Sequence, residues 1–391
     1  MGRSQVGLTA GATLFFYGTL RDIDLLQVVT GREVAPQPAR LPGYEVFWAA
    51  GQDFPMIAPD PDGQAEGIIL RDLSPQEVAR FDYYELPYGY VLTEVSVETA
   101  EGPLAAQVYM PAPDILRKGA PWSLEDWQAR FGPLMREAAQ EIMESQNILS
   151  AAEVAARSAV IETRAQARLN AREYAPPVRL RRGFTRADVT EHARRRKYSK
   201  FFVLDEVDLS YRQFSQEDGP EIERAVFISA DAVTVLPYDP VRDTVLLIEQ
   251  FRVAPYMRGD PVPWSLEAIA GRIDAGERPE EAARREAREE AGLTLSALHH
   301  ISNYYPSPGA KTEYLFSYLG ITDLPPEMAG IGGLETEAED IRSMVISFDA
   351  LMAAIRSGEV ENAPLILSAL WLERERGRLR QDPRAGLREN G

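Results

Sequence analysis

Seven residues in the stretch GRIDAGERPEEAARREAREEAGL, residues 271–293, could do chemistry together: Gly271, Glu277, Arg285, Glu286, Glu289, Glu290 and Gly292. A chance match to all seven offsets in a chain this rich in Arg and Glu is on the order of one in a hundred thousand. Glu286, Glu289 and Glu290 stand at i, i+3 and i+4, so on a helix their carboxylates leave one patch. Adjacent like charges repel unless cations neutralise them, and an all-oxygen donor set selects a hard divalent ion, Mg2+ or Mn2+. A bare E-x-x-E-E is also a common solvated face, here laced by Arg284, Arg285 and Arg288; the Gly271 and Glu277 offsets and the capped end favour the metal.

The element that must carry these carboxylates is a helix from Pro279 to Ala291. Pro279 suits a first turn, Glu280 and Glu281 favour the positive end of the dipole, and Gly292 supplies a left-handed stop. Ala283, Ala287 and Ala291 recur every fourth residue as a slim apolar stripe for packing. Ser265 to Ala270 reads as the strand that feeds the loop ahead of it.

The stretch resembles the Nudix box, the metal-binding loop and helix of hydrolases acting on nucleoside diphosphates linked to another moiety. Ala232 to Pro237, IEQFR at 248–252, LEAIAG at 266–271, YYPSPG at 304–309 and GLETEAEDI at 333–341 resemble the ADP-ribose pyrophosphatase branch of that family. The resemblance covers roughly half the chain and implies an α/β/α sandwich. It implies Glu286, Glu290, Glu339 and the carbonyl of Ala270 as ligands to Mg2+, with Mn2+ as a possible substitute and Glu289 supporting them. It also implies Glu337 as the base that activates water and Arg252 as the phosphate anchor, for guanidinium forks match phosphate oxygens, against the plainer role of a strand-end salt bridge. Ser229 stands where a second phosphate-reaching Arg is looked for, and Arg224 is close enough in sequence to replace it. Phe202 is a candidate to stack on adenine, against the plainer role of core; Ser307 and Gly309 mark the loop associated with ADP-ribose.

A second constellation lies near the N-terminus. ATLFFYGTLR runs from an apolar strand into a glycine turn, and FDYYE follows at 81–85. YGTL and D-x-Y-E resemble the γ-glutamylcyclotransferase fold in its AIG2-like branch, a small β-barrel with helices. In that family the turn, here Tyr17, Gly18, Thr19 and Leu20, presents backbone N–H groups to the glutamyl carboxylate. The glutamate, here Glu85, takes a proton from the substrate amine, which closes on the side-chain carbonyl and releases 5-oxoproline. Leu86-Pro87 replaces the glycine that often follows that glutamate. The same residues would also serve as an ordinary tight turn and a solvated carboxylate.

With 391 residues and 45% hydrophobic composition the chain can build two cores. The fold class expected is α+β in two domains: a γ-glutamylcyclotransferase-like domain over 12–145, a basic helical connector over 146–180, and a Nudix domain over 181–380. Strands are expected at 44–49, 65–70, 90–97 and 105–110, with the DPDG turn at 60–63 between two of them. A helix capped by Asn362 is expected to bury Leu365, Leu367, Leu370 and Leu372. Zero cysteines exclude disulfides and thiol nucleophiles, and three histidines, two of them adjacent, argue against a zinc centre. Net charge −18 opposes non-specific nucleic-acid binding. Between 164 and 200, however, twelve Arg or Lys face three acids, a run that reads as a solvated helix paired with acidic surfaces more readily than as an RNA site.

A cytoplasmic hydrolase of ADP-ribose is expected, acting without nucleic acid or membrane and, by the habit of the resembling enzymes, as a homodimer. Another nucleoside diphosphate sugar as substrate, or a γ-glutamylcyclotransferase carrying a nucleotide-sensing Nudix module, are the alternatives. The arrangement of the two halves also resembles bacterial fusion proteins associated with tellurite resistance, a phenotype that names no mechanism.

Overall fold

The computed structural model describes residues 11–175, 177, 179–215, 217–328, 330–332 and 340–382. Two compact units divide the chain, 1–223 and 224–391. Among the described residues no helix is long and apolar enough to cross a membrane.

The first unit runs β1 (Ala12–Phe16), α1 (Ile23–Thr30), β2 (Gln37–Ala49), β3 (Pro55–Leu73), α2 (Pro75–Glu85), β4 (Tyr90–Thr99), β5 (Gly102–Pro111) and β6 (Lys118–Pro121). Helices α3 (Leu124–Arg130), α4 (Gly132–Glu144), α5 (Ala151–Ala155) and α6 (Ser158–Glu173) follow, then the antiparallel pair β7 (Val189–Ser199) and β8 (Val203–Tyr211). The strands run in the order β3-β1-β5-β4-β2-β6, and a further β2–β3 ladder closes them into a barrel. The DPDG residues do not end a strand. Pro42 pairs with Gln64 and Tyr44 with Pro59, so residues 60–63 bulge out of a β3 that continues on either side.

Helix α6, within the stretch expected as a basic helical connector, packs into the first core, where Ile161 and Ala165 meet Ala138, Ala139 and Ile142 of α4. Its basic residues explain why. Arg164, 2% exposed, donates to Glu141 at 2.8 Å and to the carbonyl of Phe201 at 3.0 Å. Arg168 bridges Glu137 and Glu141 at 2.7 and 2.8 Å, and Arg172 reaches Glu137 at 2.6 Å. Farther along the basic run, Arg196 lies 3.0 Å from Asp205 and 2.9 Å from Glu144.

Burial alone pushes the Glu141 carboxyl up, but Arg164 and Arg168 outweigh it and hold it below the usual carboxylate range. Glu141→Ala leaves Arg164 buried with its main charge partner gone and should cost about 3–5 kcal/mol in denaturant unfolding of this unit. Because the folded-state pKa is depressed, this stability is present above the ordinary glutamate range and lost as pH falls through the folded value.

The second unit is entered by β9 (Ile222–Ile228). It continues with β10 (Ala232–Asp239), β11 (Thr244–Phe251), α7 (Val253–Arg258), β12 (Trp264–Glu267), β13 (Ile269–Arg272) and α8 (Pro279–Ala291). Then come β14 (Ala297–Tyr304), β15 (Leu315–Ile321), β16 (Gly330–Gly332), β17 (Ile341–Ser347), α9 (Phe348–Ser357) and α10 (Ala363–Gln381). β10 pairs parallel with β15, while β11 pairs antiparallel with β17; β12 and β13 pair with β11 and β10.

Alternation along β11 sorts two layers onto the sheet. Leu246 and Ile248 pack with Ala282, Ala283 and Ala287 of α8 on one face. Val245 and Leu247 pack with Phe348 and Leu351 of α9 and Leu365, Ala369 and Leu372 of α10 on the other. The architecture is the expected α/β/α sandwich. Asn362 caps α10, accepting from the Leu365 N–H at 3.0 Å. Leu370, five residues beyond Leu365, faces outward at 45% exposure, because the buried stripe follows Leu365, Ala369 and Leu372.

Candidate functional site

Helix α8 begins and ends where its residues predict. The Glu281 carboxylate accepts from the Arg278 N–H at 3.0 Å, and Gly292 closes the helix at φ 65°. The alanine stripe turns Glu286 and Glu290 inward, to 9% and 6% exposure, and leaves Glu289 exposed. Strand β13 passes directly under the first of these. A Cβ on Gly271 would lie 1.9 Å from Cδ of Glu286, so glycine is required for the carboxyl to rest on the strand backbone.

Arg285 fixes the group. It donates to Glu277 at 3.0 and 2.9 Å, to the carbonyl of Arg272 at 2.8 Å, and to Glu286 and Glu289 at 2.6 and 3.0 Å. The bond from Glu277 raises the arginine above its usual value. Burial pushes the Glu277 carboxyl up, and the Arg285 contacts more than offset this, so it stays below the usual range. The Oε2 atom of Glu290 is buried without a hydrogen bond, although the carboxyl has other electrostatic neighbours.

In Gly271→Ala only the far end of a flexible glutamate must move. Folding should therefore be nearly unaffected, while the shifted Glu286 carboxyl should lower diphosphate turnover at least about tenfold. Thermal melting read beside initial rates checks both halves of that expectation.

Ala270 sits on β13 opposite Thr234 of β10. Arg252, just past β11, forms a fork with Glu267 at 3.0 and 2.7 Å, which fixes the guanidinium plane. Arg224 is exposed on β9. Ser229 is tied to Thr312 by two 2.9 Å bonds. The carbonyl of Ser307 accepts from Ala310 and Lys311, making a turn that carries the exposed Gly309. Phe202 lies in the first unit, between β7 and β8, with its ring edge-on to Phe201 at 4.7 Å. Glu337 and Glu339 lie outside the described residues. Among the described residues, no group of three His, Asp or Glu side chains converges in metal-holding geometry. Arg285 holds both Glu286 and Glu289, at 2.6 and 3.0 Å.

The first unit builds a different site. Ser74 and Glu77 cap α2 reciprocally, with Glu77 accepting from the Ser74 N–H at 2.8 Å and Ser74 Oγ from the Glu77 N–H at 3.3 Å. Val78 and Phe81 make the buried face, and Glu85, one helical repeat beyond Val78, continues it. There it meets Tyr17, Gly18, Thr19 and Leu20 on the wall of a cavity of about 820 Å3. Gly18 is required by close approach, since a Cβ would lie 2.9 Å from Cγ of Pro55. Enclosure by protein pushes the Glu85 carboxyl up to about 7. Thus the structure brings together every residue expected of the N-terminal constellation.

Two acids in this cavity were missed, Asp53 of the β2–β3 loop and Glu162 of α6. Burial, and then the charge of Asp53, push Glu162 up to about 7. Nothing in their spacing marks them; the β2–β3 loop brings Asp53, and α6 brings Glu162, to the cavity of Glu85. Arg285 and Glu277 were legible as fixed offsets, but their hold on Glu286 and Glu289 was not.

Residues 14–129 match the family described as gamma-glutamyl cyclotransferase, AIG2-like, and residues 228–367 match the NUDIX domain. The chain is 38% identical over 190 residues to an ADP-ribose pyrophosphatase of Escherichia coli (strain K12), covering 49% of this chain and 90% of that protein. An ADP-ribose pyrophosphatase of Haemophilus influenzae is 31% identical over 200 residues, covering 51% and 92%. A GDP-mannose pyrophosphatase of Enterobacter sp. is 32% identical over 176 residues, covering 44% and 88%.

Proposed function

We propose, from the premise that this chain belongs to the Nudix family through its C-terminal half and carries an AIG2-like γ-glutamylcyclotransferase domain ahead of it, that it hydrolyses ADP-ribose to AMP and ribose 5-phosphate. Membership gives the coarser activity: divalent-metal-dependent hydrolysis of a phosphoanhydride in a nucleotide-type substrate. The single observation that carries the reading is the Glu286 carboxyl resting against Gly271, in space that a Cβ at 271 would occupy.

The donor set suits a hard cation, and Glu286, Glu290, Glu339 and the Ala270 carbonyl are the proposed ligands. Bound there, Mg2+ would neutralise charge developing on the diphosphate bridge. Glu277 and Arg285 orient Glu286 and Glu289 from behind. Arg252 is the proposed phosphate anchor, its plane set by Glu267. Glu337 is the proposed base, taking a proton as water oxygen bonds to phosphorus and the bridging P–O bond breaks.

The similar proteins include pyrophosphatases of both ADP-ribose and GDP-mannose. A panel of nucleotide sugars with Mg2+ should rank ADP-ribose first in kcat/KM. GDP-mannose ranking first would replace the substrate and leave the chemistry.

A second reading concerns the N-terminal domain and is favoured by Glu85 and the YGTL turn sharing one cavity. We propose ring closure of a γ-glutamyl compound there. Glu85 takes a proton from the α-ammonium, and the amine nitrogen bonds to the γ-carbonyl carbon. The original amide C–N bond then breaks as the leaving nitrogen gains the proton, giving 5-oxoproline and a free amine.

A further inference from the structure

The cavity of the first unit holds three carboxylates, those of Asp53, Glu85 and Glu162, and none of the described residues lining it is Lys, Arg or His. Its remaining wall is mostly apolar or aromatic. The acids converge: Tyr88 feels the charges of Glu162, Glu85 and Asp53 together, and Tyr84 feels the same three. Burial is the influence on Glu85, whose carboxyl is packed around by protein on the wall of the cavity. Negative charge gathered in a weakly solvated space without a counter-charge is costly, and a bound cation is the simplest relief.

A metal ion is a poor occupant, because no three acids among the described residues take up metal-holding geometry and about 820 Å3 far exceeds an ion's need. Aromatic walls suit an organic cation. The rings of Phe54 and Tyr88 stand 6.3 Å apart and tilted, offering faces to an ammonium and packing to a carbon chain. Glu162 comes from α6, beyond residues 14–129 that match the AIG2-like family, so this chain's own extension supplies that acid.

We propose that this cavity binds a small organic cation, a primary ammonium on a short carbon chain, with the ammonium seated between Asp53 and Glu162. The proposal rests on the reading of this cavity as a ligand site and is independent of ring closure.

Isothermal titration of the full chain at about pH 8 with n-butylamine, n-butyrate and n-butanol tests it, since the three probes share a carbon skeleton and differ in charge. Saturable binding is expected for n-butylamine, with butyrate and butanol at least about tenfold weaker. Glu162→Gln and Asp53→Asn should each weaken the amine about tenfold or more, in folds verified by circular dichroism. Butyrate or butanol binding as tightly as the amine, no amine binding at all, or full affinity in both variants would overturn it. Amine binding without 5-oxoproline release leaves this proposal standing and removes the ring-closure reading; release without amine binding does the reverse.

Discussion

Glu290→Gln is expected to lower kcat for ADP-ribose by about a thousandfold with KM changed only a few-fold, the pattern of an interaction strengthened in the transition state. Gln keeps the volume and removes the charge. Glu290 is 6% exposed on the inner face of α8, so the substitution should leave packing intact, with a melting shift of no more than about 3 °C. Glu289→Gln is the useful contrast: that side chain is exposed and pairs with Arg285 at 3.0 Å, so a supporting role predicts a loss of about tenfold. Steady-state rates for the two variants beside wild type separate a proposed ligand from its support. Equal turnover by Glu290→Gln and wild type would remove the proposed chemistry.

Glu85→Gln should reduce 5-oxoproline release from γ-glutamyl compounds by about two to four orders of magnitude, the usual contribution of a positioned base. Because burial pushes this carboxyl up to about 7, its basic form grows in as pH rises from about 6 to 8. Wild-type release should climb through that window and then level off. Stability runs the opposite way. A carboxyl whose folded pKa is raised contributes stability that is present below its unfolded value and lost as pH rises through the folded one. Glu85→Gln removes that loss, so the first unit should melt higher than wild type at about pH 8 and alike at about pH 4. Glu162, pushed up to about 7 in the same cavity, keeps part of the decline in place. A flat pH profile of release, or one falling with pH, would contradict Glu85 as the base.

Local signals were the legible ones. Pro279, Glu281 and Gly292 bounded α8 correctly, and Asn362 announced α10, because caps are chemistry between residues close in sequence. The halves of the chain and their fold classes were legible as motifs for the same reason. Contacts set by tertiary packing were not. DPDG has every mark of a turn, yet a long β2–β3 ladder absorbs it as a bulge. Arg164 and Arg168 pair with acids as expected, but which acids, Glu137 and Glu141 of α4, and that Arg164 is buried against them, only the packing shows. Leu370 looks like core in a leucine-rich segment but falls outside the stripe at 3.6 residues per turn. Likewise the Arg252–Glu267 fork joins adjacent strands across a loop, and no spacing rule anticipates it.

The most direct test is product analysis of ADP-ribose incubated with the full chain, with Mg2+ and with the metal chelated, in parallel with Glu290→Gln. The account predicts AMP and ribose 5-phosphate in equal amounts, formed only with Mg2+ and about a thousandfold more slowly by the variant. Intact ADP-ribose after prolonged incubation with Mg2+, or the same products at the same rate from chelated wild type or from Glu290→Gln, would contradict it.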